Sequence, residues 1–491
     1  MLFNTIDFVI FFVFVLAIIV IIKNRTYQHL FLLIASYFFF YYTSNYLIVL
    51  LIISTLLDYY VAKEIWNSKS KSKKKLLLII SLAGNLGLLG FFKYADFAIL
   101  QFNILGQNMN FGGDIPFFNM ALPIGISFYT FQTIGYTIDV YRGKLEPSKS
   151  IKEFALFIAF FPQLVAGPIV RAKDFLPQLR EKIDDSKTGV KLRQIVLNNV
   201  HLKLGITMMV FGFLKKMFFA DNIAPMVNMA FDNPIGLESF TVILSTIAFG
   251  IQVYGDFSGY SDIAIGAALI LGFKLPINFN KPFFATSPAD FWRRWHISLS
   301  NWVRDYLFLP IVYRNIGSNA QLIFGSMITF LLLGFWHGAG WNFIFFGLIH
   351  GIYVTIEVVI SKKIPKARNN PFFKRRFGKI LAILGTQYLV FLAFIAFRVE
   401  DFDSMIYVIS KYIFLDFAVS ETITFISINK FPMFLIFSFM ILNYLSYRSK
   451  NLQKKISETN SWVWFIFLVG TISLIIFFYD GRPDDFIYFR F

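Results

Sequence analysis

Histidine is scarce in this sequence, and three of its five copies lie close together. His296, His337 and His350 follow one another at intervals of 41 and 13 residues, in largely apolar sequence. Ionisable side chains are costly in apolar surroundings and are usually functional there. A neutral imidazole can act as a general base toward a hydroxyl group, whereas these intervals match no compact metal motif. The pattern predicts acid–base chemistry and no metal site.

His337 ends an apolar stretch, LLLGFWHGAGWNF, in which glycines and tryptophans surround it. Glycine permits close helix approach or a break in the backbone. From the residues alone, His337 is either a hydrogen-bonded structural group or a general base in a water-poor tunnel. His350 lies on an expected helix, where a packed, hydrogen-bonded role is favoured.

The stretch FWRRWHISLSNWVRDY concentrates charge and tryptophan around His296. One interpretation is an amphipathic helix at the membrane interface, with Trp at the headgroup level. The other is a cytoplasmic pocket in which Arg293 and Arg294 bind phosphate or pyrophosphate through bidentate hydrogen bonds. Both interpretations remain open on these residues.

The composition shows what kind of protein must position these side chains. Of 491 residues, 57% are hydrophobic and 15% are charged, whereas an average soluble domain carries about a quarter charged residues. The net charge of +17 comes from short Lys and Arg tracts between apolar segments. Such tracts indicate positive-inside membrane topology and not nucleic-acid binding. With no cysteine in the chain, acyl chemistry has to use a hydroxyl or an oxygen ester.

Crossing a bilayer takes about 20 apolar residues in a helix. The sequence predicts an all-α, polytopic membrane protein with about eleven to thirteen transmembrane or re-entrant helices in one domain, residues 1–491. Basic loops placed in the cytoplasm put the final segment, 479–491, on the outer face. The candidate spans are 7–22, 28–43, 45–61, 76–92, 116–138, 198–219, 239–272, 319–337, 341–360, 379–397, 432–447 and 461–478, with shorter apolar stretches at 153–170 and 306–312.

RRWHISLSNW followed by WHG resembles the membrane-bound O-acyltransferase family. Six further stretches resemble the alginate O-acetylation branch of this family: FFKYADF (91–97), LPIGISFYTFQTIGYTIDVYRG (122–143), FFPQLVAGPIVR (160–171), GFLKKMFFADNIA (212–224), YGDFSGYSDIAIG (254–266) and DDFIYFRF (484–491). The resemblance implies helices around a central tunnel that joins a cytoplasmic acyl donor to an acceptor at the opposite face. It implies that His337 is the catalytic histidine and His296 the second active-site residue. Simple topology places these two near opposite faces, so one segment must be tilted, broken or re-entrant if they are to meet.

The final segment contains Tyr488, within the aromatic run FIYFRF. This run could be an interfacial anchor. Alternatively, Tyr488 transiently carries the acyl group, because a phenol with a pKa near 10 forms an ester that passes its acyl group on readily. Related teichoic acid D-alanylation systems have a similar aromatic ending with a tyrosine.

The sequence therefore predicts a membrane O-acyltransferase of the bacterial cytoplasmic membrane. We expect a cytoplasmic donor, acetyl-CoA or another acyl thioester, to bind at Arg293 and Arg294. His337, aided by His296, deprotonates a hydroxyl, and an extracytoplasmic esterase-like partner places the acyl group on a polysaccharide. The alternatives are a D-alanyl transferase for teichoic acid and a non-enzymatic transporter, although the internal repeats expected of a transporter are not found.

Overall fold

The structure is a computed structural model that describes residues 1–110, 113–120, 122–165, 167–180, 183–184, 191–192, 199–313, 318–363, 371–479 and 487. Over these residues it is almost entirely helical. Its one sheet is a two-stranded antiparallel pair, β1 (Ile183–Asp184) and β2 (Lys191–Leu192). The predicted all-α class is confirmed.

Helices of very different lengths follow one another along the described part of the chain. In chain order they are α1 (Ile6–Ile21), α2 (Arg25–Ser44), α3 (Ile48–Asn67), α4 (Lys71–Asn108), α5 (Ile126–Tyr141), α6 (Ile151–Ala159), α7 (Phe161–Leu164), α8 (Ala172–Arg180), α9 (Asn199–Phe213), α10 (Asp221–Phe231), α11 (Ser239–Ile270), α12 (Pro288–Trp292), α13 (Ile297–Val303), α14 (Leu309–Val312), α15 (Asn319–His337), α16 (Trp341–Lys363), α17 (Pro371–Lys374), α18 (Arg376–Arg398), α19 (Phe402–Ile413), α20 (Ser420–Ile428), α21 (Lys430–Ser449), α22 (Leu452–Ser457) and α23 (Ser461–Phe477). Two segments, Leu214–Ala220 and Arg304–Phe308, are π-helical. Two more, Asn45–Leu47 and Pro282–Phe284, are 3₁₀ turns.

The long apolar helices make this a multi-pass membrane protein. In the described part of the chain, seven helical stretches are long and apolar enough to span a bilayer, with α2 and α3 counted together as Arg25–Asn67. Ile6–Ile21 and Ser461–Phe477 are shorter apolar helices. The short apolar stretches predicted at 153–170 and 306–312 are short helices, α6, α7 and α14.

The predicted span 116–138 begins later than expected, at Ile126. Gly125 precedes it with φ 81°, in the left-handed region, and a Cβ there would overlap the carbonyl oxygen of Leu164. Only glycine meets both conditions without strain, so the backbone turns at this residue before the helix starts.

The chain packs as two compact units, residues 1–209 with 261–276, and residues 210–260 with 277–491. The single domain expected from the sequence stays a prediction. In the first unit, the buried carboxylate of Asp58 on α3 accepts hydrogen bonds from Thr137 on α5 (2.6 Å) and from Ser81 and Asn85 (2.6 Å) on α4. These bonds satisfy a buried polar group and join three helices.

In the second unit, α15 crosses α16 with their backbones in contact. A Cβ on Gly334 would overlap the carbonyl oxygen of Phe343 and the backbone of Gly347, and a Cβ on Gly347 would overlap the carbonyl oxygen of Phe330. Small residues permit such close crossings in membrane helices. The crossing lies one helical turn before His337 and therefore determines where that histidine lies.

Candidate active site

His337 is the last residue of α15 and is buried, with 4% of its surface exposed. Both ring nitrogens are shielded from solvent. Aromatic rings surround the imidazole, with centroids at 5.0 Å for Trp336, 5.3 Å for Phe397 and 5.5 Å for Phe346. α15 ends here because Gly338 is extended. The result is an imidazole shielded from solvent by aromatic rings, an environment that limits competing reactions with water.

His296 occupies a sharp turn between α12 and α13. Its backbone is left-handed, with φ 43° and ψ 53°, a strained conformation for a residue with a side chain. The neighbouring backbone holds the turn: the Ile297 N–H donates to the Asn278 carbonyl (2.8 Å), and the Asn280 N–H donates to the Arg294 carbonyl (2.9 Å). Strain of this kind is concentrated at functional sites.

Asn278 determines the tautomer of His296. Its Oδ1 lies 3.3 Å from the Ser298 backbone N, 2.9 Å from the Ser298 hydroxyl and 3.1 Å from Nδ1 of His296. A backbone N–H can only donate, so the shared atom is the amide oxygen and accepts from all three. Nδ1 of His296 therefore carries the proton, and Nε2 has the lone pair of a neutral imidazole.

Burial keeps His296 neutral. The side chain is fully buried, and this desolvation lowers the pKa of His296 to about 3. The charged form is disfavoured because it loses hydration that the apolar pocket does not replace. At physiological pH, His296 is a neutral hydrogen-bonding group.

The ring of Trp336 is a neighbour of both histidines. Its indole centroid is 6.5 Å from the ring of His296 and 5.0 Å from the ring of His337. Phe257 of α11 also packs edge-on against His296, with ring centroids 4.6 Å apart. The stretch that carries His296 is broken into short helices, α12 to α14, with a π-helical segment. The topology expected from the sequence requires one segment to be tilted, broken or re-entrant if the two histidines are to lie close together, and this segment is broken.

His350 has a structural role. Its Nδ1 accepts a hydrogen bond from the indole N–H of Trp292 at 3.2 Å, and the residue is fully buried among aromatic rings. Further along α16, Glu357 accepts from the Ser287 hydroxyl and the Ala289 N–H, both at 2.8 Å. Together, His350 and Glu357 hold α12, the helix that leads into His296.

Arg293 and Arg294 differ in how they are engaged. The guanidinium of Arg294 donates to Asp290 at 3.0 Å, and its side chain is 27% exposed. The side chain of Arg293 is 61% exposed and lies 3.8 Å from the same carboxylate. Arg293 is thus the more accessible of the two for an anionic ligand. The predicted binding of a phosphate by both arginines stays a prediction.

Comparison with known proteins identifies the family. The sequence profile of the membrane-bound O-acyltransferase family matches residues 145–395, which include both His296 and His337. The chain belongs to this family. The resemblance seen in the sequence is thereby confirmed, and with it the enzyme class, a membrane O-acyltransferase.

Individual bacterial relatives agree with the family. A peptidoglycan O-acetyltransferase of Helicobacter pylori is 35% identical over 72% of this chain and 67% of its own length. A probable alginate O-acetylase of Azotobacter vinelandii is 38% identical over 66% of this chain and 60% of its own length. A teichoic acid D-alanyltransferase of Bacillus subtilis is 31% identical over 58% and 71%, respectively. These relatives and the apolar helices support the predicted location of the protein in a bacterial cytoplasmic membrane.

Of the predicted site residues, the structure brings His296 and His337 together around Trp336, and places Arg293 and Arg294 just before His296, at the end of α12. Tyr488 lies outside the described residues. Sequence reasoning missed Asn278 and Glu357, which hold the His296 turn and α12. No local pattern marks either residue, because each acts through a partner that is distant along the chain.

Proposed function

We propose that this protein transfers an acyl group, most simply acetyl, from a thioester donor such as acetyl-CoA to a hydroxyl acceptor during O-acetylation of an extracellular polysaccharide. The observation that carries the proposal is the pairing of buried His296 and His337 around one indole. His296 is neutral, with its tautomer determined by Asn278. Among relatives in this family, the named acceptors include peptidoglycan and alginate.

The chemistry follows from these groups. A ring nitrogen of His337 accepts the proton of the acceptor hydroxyl as its oxygen attacks the thioester carbonyl carbon. The carbon–sulfur bond then breaks, and the leaving thiolate takes the proton from the imidazolium. The products are an oxygen ester and a free thiol, and His337 returns to its neutral form. His296, which is neutral, orients the reacting groups without adding charge to the pocket.

The donor side involves Arg293. Because its guanidinium is exposed and only loosely paired with Asp290, it can bind the phosphates of a nucleotide thioester. Arg294 supports Asp290 and adds positive charge. We place this end of the site at the cytoplasmic face, where the basic loops predict it.

The acceptor in our proposal is the phenol of Tyr488, which holds the acyl group as an ester. An esterase-like partner outside the membrane then moves the acyl group from this phenyl ester to a polysaccharide hydroxyl, which restores the phenol. Family membership favours this enzymatic function over a transporter.

The test measures ester-bound acetate released from polysaccharide by mild base, in cells that carry wild type, His337→Ala or His350→Ala at matched membrane levels. We expect His337→Ala to remove the acetate and His350→Ala, in properly folded protein, to retain it. Unchanged acetate with His337→Ala would refute the role of this histidine. Release of D-alanine in place of acetate would favour the teichoic acid function named for the Bacillus subtilis relative.

A further inference from the structure

A buried charge cluster in the second unit takes no part in the chemistry above. Nζ of Lys216 lies 2.8 Å from a carboxylate oxygen of Asp221 and 2.8 Å from Oδ1 of Asp256. Lys216 is 1% exposed and Asp256 is 3% exposed. Burying charges is costly even when they are paired. Such a cluster in a membrane protein is therefore expected to have a function.

The fold brings these residues together through two sequence stretches that the chemistry leaves unused, GFLKKMFFADNIA and YGDFSGYSDIAIG. Lys216 lies in the π-helical segment Leu214–Ala220, a geometry common at functional sites. On α11, Gly255 and Gly259 lie beside this segment, and a Cβ on Gly259 would lie 2.7 Å from the Gly212 carbonyl oxygen. Glycine thus permits the close approach that brings Asp256 to Lys216.

The cluster also contacts the backbone of Ile487. Oδ2 of Asp256 accepts a hydrogen bond from the backbone N–H of Ile487 at 2.7 Å, in a buried setting. Ile487 itself is 7% exposed. The ammonium of Lys216 favours the charged form of Asp256, and a charged acceptor strengthens a hydrogen bond from an N–H donor.

We propose that Asp256, charged and oriented by Lys216, is a positioning residue that docks the final segment at Ile487 and so delivers Tyr488 to the histidines. Asp256 is followed on α11 by Phe257, whose ring lies 4.6 Å from that of His296. Tyr488 is the next residue in the sequence after Ile487. This role for Tyr488 rests on the proposed function, whereas the docking itself does not.

The docking is tested by cysteine labelling, because the chain contains no cysteine of its own. An Ile487→Cys variant is treated with a water-soluble maleimide in three backgrounds: otherwise unchanged, Asp256→Ala and Asp221→Ala. Each alanine variant leaves Lys216 one carboxylate partner, but only Asp256→Ala removes the acceptor for residue 487. We expect labelling at least tenfold faster with Asp256→Ala, and slow labelling with Asp221→Ala. Equal rates in these two variants would overturn the docking.

The delivery of Tyr488 is tested with Ile487→Pro, which removes the N–H donor and leaves the charge cluster intact. Ile487→Val keeps the donor and serves as its control. Acyl groups on Tyr488 are measured by mass spectrometry of the purified protein. We expect at least tenfold less acyl-tyrosine with Ile487→Pro than with Ile487→Val. Equal acylation would overturn the positioning role. Absence of acyl-tyrosine from wild type would refute the carrier function, and the labelling rates would still decide whether Asp256 docks the segment.

Discussion

Oδ1 of Asn278 lies 3.1 Å from Nδ1 of His296, and the same oxygen accepts from the backbone N–H of Ser298. This relationship determines which ring nitrogen of His296 has the lone pair. It also ties the segment before α12 to the strained turn after it. A base or hydrogen-bond acceptor in a dry site acts only in the correct tautomer, so Asn278 should be needed for catalysis.

We expect Asn278→Ala to lower kcat by about tenfold or more, because His296 is then no longer held in one tautomer. Asn278→Asp keeps an acceptor and should retain most activity at neutral pH. Asn280→Ala is the matched control, since its exposed side chain can be removed while its backbone bond to Arg294 stays. The measurement is acyl transfer in purified membranes. Full activity of Asn278→Ala would contradict the tautomer argument.

The pH dependence of stability follows from the buried His296. Its pKa is about 3 in the folded protein and about 6.5 in an unfolded chain. The unfolded state therefore binds more protons below pH 6.5, and stability falls as pH drops from about 6.5 toward 3, by up to about 1.4 kcal/mol per unit. Between pH 7 and pH 5, the melting temperature of a His296→Asn variant should fall less than that of wild type. Parallel losses in the two proteins would show that another group is responsible.

Substitution at the helix crossing should displace His337. A Cβ on Gly334 overlaps the backbone of α16, so we expect Gly334→Ala to cost about 1–3 kcal/mol and to lower activity. Gly385→Ala is the control, because nothing lies within 4 Å of a Cβ at that position. That change should be neutral or should stabilise α18 by about 0.5–1 kcal/mol. Thermal unfolding in detergent compares the two variants. Equal melting temperatures would contradict the close backbone contact between α15 and α16 at Gly334.

The donor site should depend on Arg293. We expect Arg293→Ala to raise KM for the acyl donor about tenfold, with kcat little changed, because an exposed guanidinium contributes binding and not chemistry. Arg304 is the control, since it is similarly exposed and pairs with Asp305 at 2.7 Å. Steady-state kinetics with varied donor concentration measure the effect. A fall in kcat at constant KM would place Arg293 in the chemical step.

Loss of His350 should affect folding and not chemistry. His350→Ala leaves the buried indole N–H of Trp292 without its acceptor and opens a cavity, which together cost about 2–4 kcal/mol. Protein that is still folded should retain its kcat. Glutamine at this position can accept from Trp292, so His350→Gln should recover part of the lost melting temperature. A variant of normal stability without activity would give His350 a catalytic role.

The amino-acid sequence by itself determined the class of the protein and the residues to examine. Runs of about 20 apolar residues have to cross a bilayer, and each predicted span falls largely on a helix, apart from the start of α5 at Gly125. His296 and His337 were identifiable because ionisable groups are rare in apolar sequence. Local composition is sufficient for these conclusions, since they depend on hydropathy and on neighbours along the chain.

Only the tertiary structure decided how these residues are arranged. Topology alone placed His296 and His337 near opposite faces, and the broken stretch from α12 to α14 brings both against Trp336. Three of the hydrogen bonds described above join residues that are far apart in the sequence. The separation is 18 residues for Asn278 and His296, 70 for Glu357 and Ser287, and 231 for Asp256 and Ile487. Contacts over such distances depend on how helices pack, and packing leaves no periodic signal in the sequence. The tautomer of His296 and the docking of Ile487 therefore became visible only in the folded chain.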